Sequence, residues 1–128
     1  MRRIERLLLI DDDPGVLRAL GLLLETMKFT VVPFSSPSQA LAYVTSGNDV
    51  DVVVTDLRMP ELSGDAVLRE LRVINQALPV IVMSGHITAN EATALKQQGA
   101  AGVIPKPFSP GQLLELIGAI PLSGQPSL

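Results

Sequence analysis

A chain of 128 residues with 47% apolar and 18% charged side chains is one domain in length and too apolar to stay disordered, and aromatic residues at 3% leave a core of Leu, Val, Ile and Ala. The absence of cysteine and the single histidine remove disulfides, thiolate metal sites and a His-rich zinc site. A net charge of −3 lacks the clustered Lys and Arg that grip nucleic acid, and apolar runs of only strand length do not cross a membrane.

The amino terminus carries Arg2, Arg3 and Arg6, but the apolar run after them stops at three aspartates. It therefore lacks the apolar region and cleavage site of a signal peptide, which predicts a cytoplasmic protein. Residues 7–10 are unbroken apolar side chains ending at Asp11-Asp12-Asp13, the pattern of a strand covered on both faces. Asp13 and Pro14 then supply an N-cap and a proline at the first helical position. Val16, Leu17, Leu20, Leu23, Leu24 and Met27 follow at helical spacing, and Leu22 falls on the outer side. Residues 30–35 form a second strand whose Pro33 cannot donate to a ladder, so it belongs at a sheet edge. Ser36-Pro37-Ser38-Gln39 repeats the cap-plus-proline start, and Gly47 closes that helix.

Val52-Val53-Val54-Thr55 is a β-branched run with no polar alternation, the pattern of a strand covered on both faces, and it stops at Asp56. In open α/β sheets the carboxyl ends of such strands form the crevice where ligands bind. A third helix is expected over residues 64–76, with Val67, Leu71 and Ile74 inward and Arg69, Glu70 and Arg72 outward. Residues 79–83 make a fourth buried strand that ends in Ser84-Gly85. Thr88 and Glu91 form a capping box, but the helix that runs on to Gln98 has only Ala, Thr and one Leu as anchors. It is expected to be the least firmly packed. A fifth strand over residues 101–104 leads to Lys106-Pro107-Phe108 and a last helix with Leu113, Leu116, Ile117 and Ile120 facing the core. The domain then covers residues 1–120, and residues 121–128 are a Pro/Gly/Ser tail or the start of a linker.

A strand–helix unit repeated five times predicts an α/β fold, (βα)5, with a doubly wound parallel sheet. The proline in the second strand and the one closing the fifth suit the order 2-1-3-4-5, with a switch point between strands one and three. That order brings Asp11 and Asp12 beside Asp56, and the remaining strand ends add Ser84 and Lys106. Converging carboxylates repel one another, and a hard divalent cation such as Mg²⁺ relieves them with carboxylate, carbonyl and water oxygens. Lys106 contributes a compact positive charge and Ser84 a hydroxyl donor. Such surroundings suit a phosphoryl group, with Asp56 as the nucleophile that forms an aspartyl phosphate.

In Leu9-Ile10-Asp11-Asp12, Thr55-Asp56-Leu57-Arg58-Met59-Pro60 with Gly64 following, Met83-Ser84-Gly85 and Lys106-Pro107-Phe108, the chain resembles a two-component response-regulator receiver domain over residues 7–120. The resemblance implies that Asp11 and Asp12 hold Mg²⁺, with Asp12, Asp56 and the Arg58 backbone carbonyl as direct ligands. It implies that Asp56 takes its phosphoryl group from a histidine kinase or histidine phosphotransfer domain. Lys106 then pairs with the phosphoryl group, Ser84 moves to hydrogen-bond it, and the Lys106-Pro107 bond is cis. Further partners implied are an attached output or kinase domain and a second copy in a phosphorylation-linked dimer. Leu22, Pro107 and Phe108 are the expected partner contacts.

This chain departs from the family where Val103 replaces the aromatic often found three positions before the lysine. A switch must then act through the backbone of the fourth helix and its flanking loops. Two other readings compete: a degenerate receiver acting only as an interaction domain, and a Mg²⁺-dependent phosphohydrolase of the haloacid-dehalogenase kind. The phosphohydrolase needs a second acid two residues after the nucleophile, where this chain has Arg58. Asp13 reads as a helix N-terminal acid and His86 as an exposed loop residue with a lesser role, together with Arg58, in water access.

Overall fold

Each unbroken apolar run becomes a strand in the computed structural model, which describes residues 4–120. The strands are β1 (Arg6–Ile10), β2 (Thr30–Phe34), β3 (Val52–Asp56), β4 (Val80–Ser84) and β5 (Gly102–Pro105). Between and after them come α1 (Pro14–Thr26), α2 (Pro37–Thr45), α3 (Gly64–Ile74), α4 (Ala89–Gln97) and α5 (Pro110–Gly118). All four strand pairs are parallel, in the order β2-β1-β3-β4-β5, so the fold is the expected (βα)5 sheet. β2, with its Pro33, is an edge strand. The tail expected at residues 121–128 lies outside the described residues. No helix among the described residues is long and apolar enough to cross a membrane.

Alternate residues of a strand point to opposite faces, which divides the core in two. Leu8, Ile10, Val53, Val80 and Val82 face Ala40 of α2, Val67, Leu68 and Leu71 of α3, and Leu95 of α4. On the other face Leu7, Leu9, Val52, Val54, Ile81 and Met83 meet Leu24 of α1 and Leu113 and Ile117 of α5. β3 and β4 are buried at every position, which is why their sequences show no polar alternation.

The helix faces of α3 and α1 differ from expectation. On α3 the buried line is Gly64, Val67, Leu68 and Leu71, so Leu68 is core, while Ile74, expected inward, is 37% exposed at the helix end. The helix stops there rather than at Gln76, with Asn75 as its C-cap. Arg72, expected outward, is partly buried: its guanidinium donates to the carbonyls of Gln76, at 2.9 Å, and Leu78. On α1 the fully buried residues are Gly21 and Leu24, and Leu23, expected inward, is 36% exposed. Leu22 is exposed as expected, at 59%. α4 has its capping box and fully buries Leu95 alone, in keeping with weak anchoring.

Candidate functional site

The central pairing of β1 with β3 sets the acids side by side, because both strands end at the same level of the sheet. Carboxylate oxygens of Asp11, Asp12 and Asp56 all lie within 4.8 Å of one another, with Asp11 and Asp56 buried and Asp12 exposed. Asp11 is held by the Asp13 N–H, which donates to its Oδ1 at 2.9 Å. Asp13 turns away to cap α1, accepting the Gly15 and Val16 N–H groups at 2.9 and 3.3 Å, as expected of a helix N-terminal acid. Gly64 is required by close approach, since a Cβ there would sit 2.8 Å from the Leu57 Cα. That contact, with the Gly64 N–H donated to the Leu57 carbonyl at 2.8 Å, closes the loop that follows Asp56 tightly.

Lys106 reaches this cluster from the loop after β5, where its own N–H donates to the Ser84 carbonyl at 2.7 Å. Its Nζ lies 3.1 Å from both Asp11 Oδ2 and Asp56 Oδ1. The Lys106–Pro107 peptide is cis. Burial pushes the Asp56 carboxyl above the ordinary aspartate value; the Lys106 ammonium opposes this without cancelling it, and Asp11 adds to the rise. Burial also works against the charge of Lys106, but its hydrogen bonds and attraction to Asp11 and Asp56 outweigh it and raise its pKa. One half-buried cation thus offsets part of a three-carboxylate repulsion.

The donor set suits a hard divalent ion. Metal–oxygen bonds of about 2.1 Å place opposite oxygens of an octahedron about 4.2 Å apart, close to the spread of the three carboxylates. The oxygens are all carboxylate, with no sulfur or imidazole among them.

Ser84 is buried at the end of β4 and turned into its own loop. Its hydroxyl donates to the His86 carbonyl at 2.9 Å and accepts the His86 N–H at 3.2 Å. His86 is exposed. The Arg58 side chain, assigned no role from sequence beyond an association with water access, crosses to Glu91 at 2.9 Å and to the His86 carbonyl at 3.3 Å. No local pattern announces a contact between residues 33 apart.

The three expected partner contacts do not share one surface. Pro107 and Phe108 line an apolar depression with Val16, Ala19, Leu20, Leu23, Gly85 and Lys106. Leu22 lines a separate groove with Leu17, Gly21, Val31 and Pro33, between α1 and β2. Leu23 of α1, expected in the core, is among the residues that line the depression beside Lys106.

Comparison with known proteins agrees with this geometry. The family model of the response regulator receiver domain matches residues 7–118. The transcriptional regulatory protein GlrR of Escherichia coli (strain K12) is 37% identical over 111 residues, covering 87% of this chain and 25% of that protein. The C4-dicarboxylate transport transcriptional regulatory protein DctD of Rhizobium meliloti (strain 1021) is 36% identical over 107 residues, or 84% of this chain and 23% of that protein. The chain thus spans about a quarter of the length of these relatives. Among solved structures, a response regulator receiver domain protein from Clostridium thermocellum superposes with a TM-score of 0.85 at 34% identity, covering 90% of this chain and 92% of that one. A response regulator receiver protein from Pseudomonas putida gives 0.83 at 29% identity, covering 92% and 98%. With its fold, strand-end acids and relatives in agreement, the chain belongs to the response regulator receiver domain family of two-component systems.

Proposed function

We propose that the domain accepts a phosphoryl group on Asp56 from the phosphohistidine of a histidine kinase or histidine phosphotransfer domain, and passes the event on as a change of conformation. The observation that carries this reading is Lys106 Nζ, 3.1 Å from both Asp11 and Asp56 beside a third carboxylate. Asp12 and Asp56 would hold Mg²⁺ with the Arg58 carbonyl, and Asp11 behind them; the ion supplies charge neutralisation to the phosphoryl oxygens. Ionised Asp56 is the nucleophile: its Oδ–P bond forms as the donor's N–P bond breaks, and the freed imidazole takes up a proton. Lys106 stays charged throughout and can follow the phosphoryl oxygens without leaving Asp11. Ser84 exchanges the His86 carbonyl for a phosphoryl oxygen. The donor docks on the depression of Leu23, Pro107 and Phe108, which opens beside Lys106.

Because the relatives are more than three times as long and are named transcriptional regulators, an attached output domain reached through residues 121–128 is part of the proposal. Incubation with acetyl phosphate and Mg²⁺ followed by intact mass tests it. The wild type gains one phosphoryl group and Asp56→Asn gains none. No gain in the wild type, or equal gain in both, overturns the acceptor role, and turnover of many phosphoesters per protein favours the phosphohydrolase reading.

A further inference from the structure

Arg58 stands two residues after Asp56, and its Nη2 donates both to Glu91 Oε2 at 2.9 Å and to the His86 carbonyl at 3.3 Å. That carbonyl is the same oxygen that receives the Ser84 hydroxyl, at 2.9 Å. Glu91 is also committed to helix α4: its Oε1 accepts the Thr88 N–H at 3.0 Å, and its own N–H is donated to the Thr88 hydroxyl at 3.1 Å. One guanidinium nitrogen therefore ties the loop after Asp56, the loop after β4 and the first turn of α4. The helix it ties has little else to hold it, since Leu95 is its single fully buried residue. Elements with few buried apolar contacts open most readily, so a surface contact weighs more here than it would on a well-packed helix. Val103, half-buried in the core under α4, has no ring to transmit a rotamer change.

We propose that Arg58 is a latch that holds the β4–α4 loop and the first turn of α4 in the unphosphorylated arrangement, and that a phosphoryl group on Asp56 releases it. The inference rests on Asp56 as the acceptor. A phosphoryl group adds negative charge two residues from Arg58 and competes with the single charge of Glu91 for the guanidinium. Ser84, on turning toward the phosphoryl oxygen, withdraws from the His86 carbonyl. Both changes fall on the same pair of acceptors, so the release needs no aromatic relay.

Glu91→Gln separates the latch from helix capping, because glutamine serves at the same capping-box position while the ion pair is lost. Hydrogen exchange followed by mass spectrometry on the full chain, with and without acetyl phosphate and Mg²⁺, provides the readout. In the unphosphorylated state amides over residues 86–95 should exchange about two- to fivefold faster in Glu91→Gln than in wild type, the range expected for an exposed ion pair. Arg58→Gln should give the same increase, and the double variant no more than either single one, as residues sharing one interaction require. Phosphorylation should accelerate these amides in wild type and add little in Glu91→Gln. Wild-type exchange in Glu91→Gln, or additive effects in the double variant, overturns the latch. A wild type that gains one phosphoryl group by mass and keeps its exchange rates overturns the release. A wild type that gains none overturns the acceptor reading and the release with it, while the unphosphorylated double-variant comparison still judges the latch by itself.

Discussion

Asp56 carries a burden in the folded chain that the unfolded chain does not. Burial raises its carboxyl above the ordinary value despite Lys106, so ionising it costs more in the folded state. From this group the folded state gains most below the unfolded value of about 3.9, and that gain is lost as pH rises through the raised folded value. At neutral pH the ionised carboxylate therefore lowers stability. Asp56→Asn is expected to raise the melting temperature by about 2–5 °C at pH 7, the response of a domain this long to a modest change in free energy, with the gain shrinking toward pH 3.5. Thermal scans of both proteins across pH check it, and a destabilised variant at pH 7 would contradict it. On the proposed role the same strain favours reaction, since it is relieved when a phosphoryl group or a cation takes up the negative oxygen. That Asp56 ends a buried strand was legible from Val52-Val53-Val54-Thr55. Its pairing with Lys106 was legible only as a juxtaposition of strand ends.

At the scale of elements, spacing located every helix but misjudged details of its faces. Leu68 and Ile74 both lie within reach of the apolar stripe of α3. A helix shows its sheet-facing side over a limited length, and the last turn of α3 runs past the core, so Leu68 is fully buried and Ile74 is not. Leu68→Ala is expected to cost about 2–5 kcal/mol, as a large-to-small change in a closed core does, and Ile74→Ala less than about 1 kcal/mol. Urea denaturation of the two variants distinguishes them. Likewise on α1, Gly21 sits against β2, with Val31 3.8 Å from the place its Cβ would take, so this face approaches the sheet closely. Leu23 is thereby rotated toward Phe108 and Leu22 toward the groove at β2. Helical periodicity gives angles around an axis, and the direction of the sheet from that axis comes from packing.

For the whole molecule, folding and ion binding are expected to be linked, because the three acids converge only when β1 and β3 are paired. An ion that binds the folded state alone stabilises it by mass action, by about 2.7 kcal/mol at a hundred times its dissociation constant. Mg²⁺ at such an excess should raise the melting temperature of the wild type, and Asp12→Ala should lose most of that gain while melting close to the wild type without the ion, since Asp12 is exposed. Equal stabilisation of both proteins would remove Asp12 from the ligand set.

By itself the sequence determined the number and order of the elements, the edge position of β2, the N-caps of α1, α2 and α4 and the acids at the strand ends. These follow from the period and punctuation of short stretches, which depend on neighbours a few residues away. Tertiary structure alone decided which atom a polar side chain finds when its partner is distant in sequence. Lys106 meets Asp11 across 95 residues, and Arg58 meets Glu91 across 33. Such pairs are set by how strands and helices pack, and a surface arginine looks the same in sequence whether it ends in water or on a neighbouring helix.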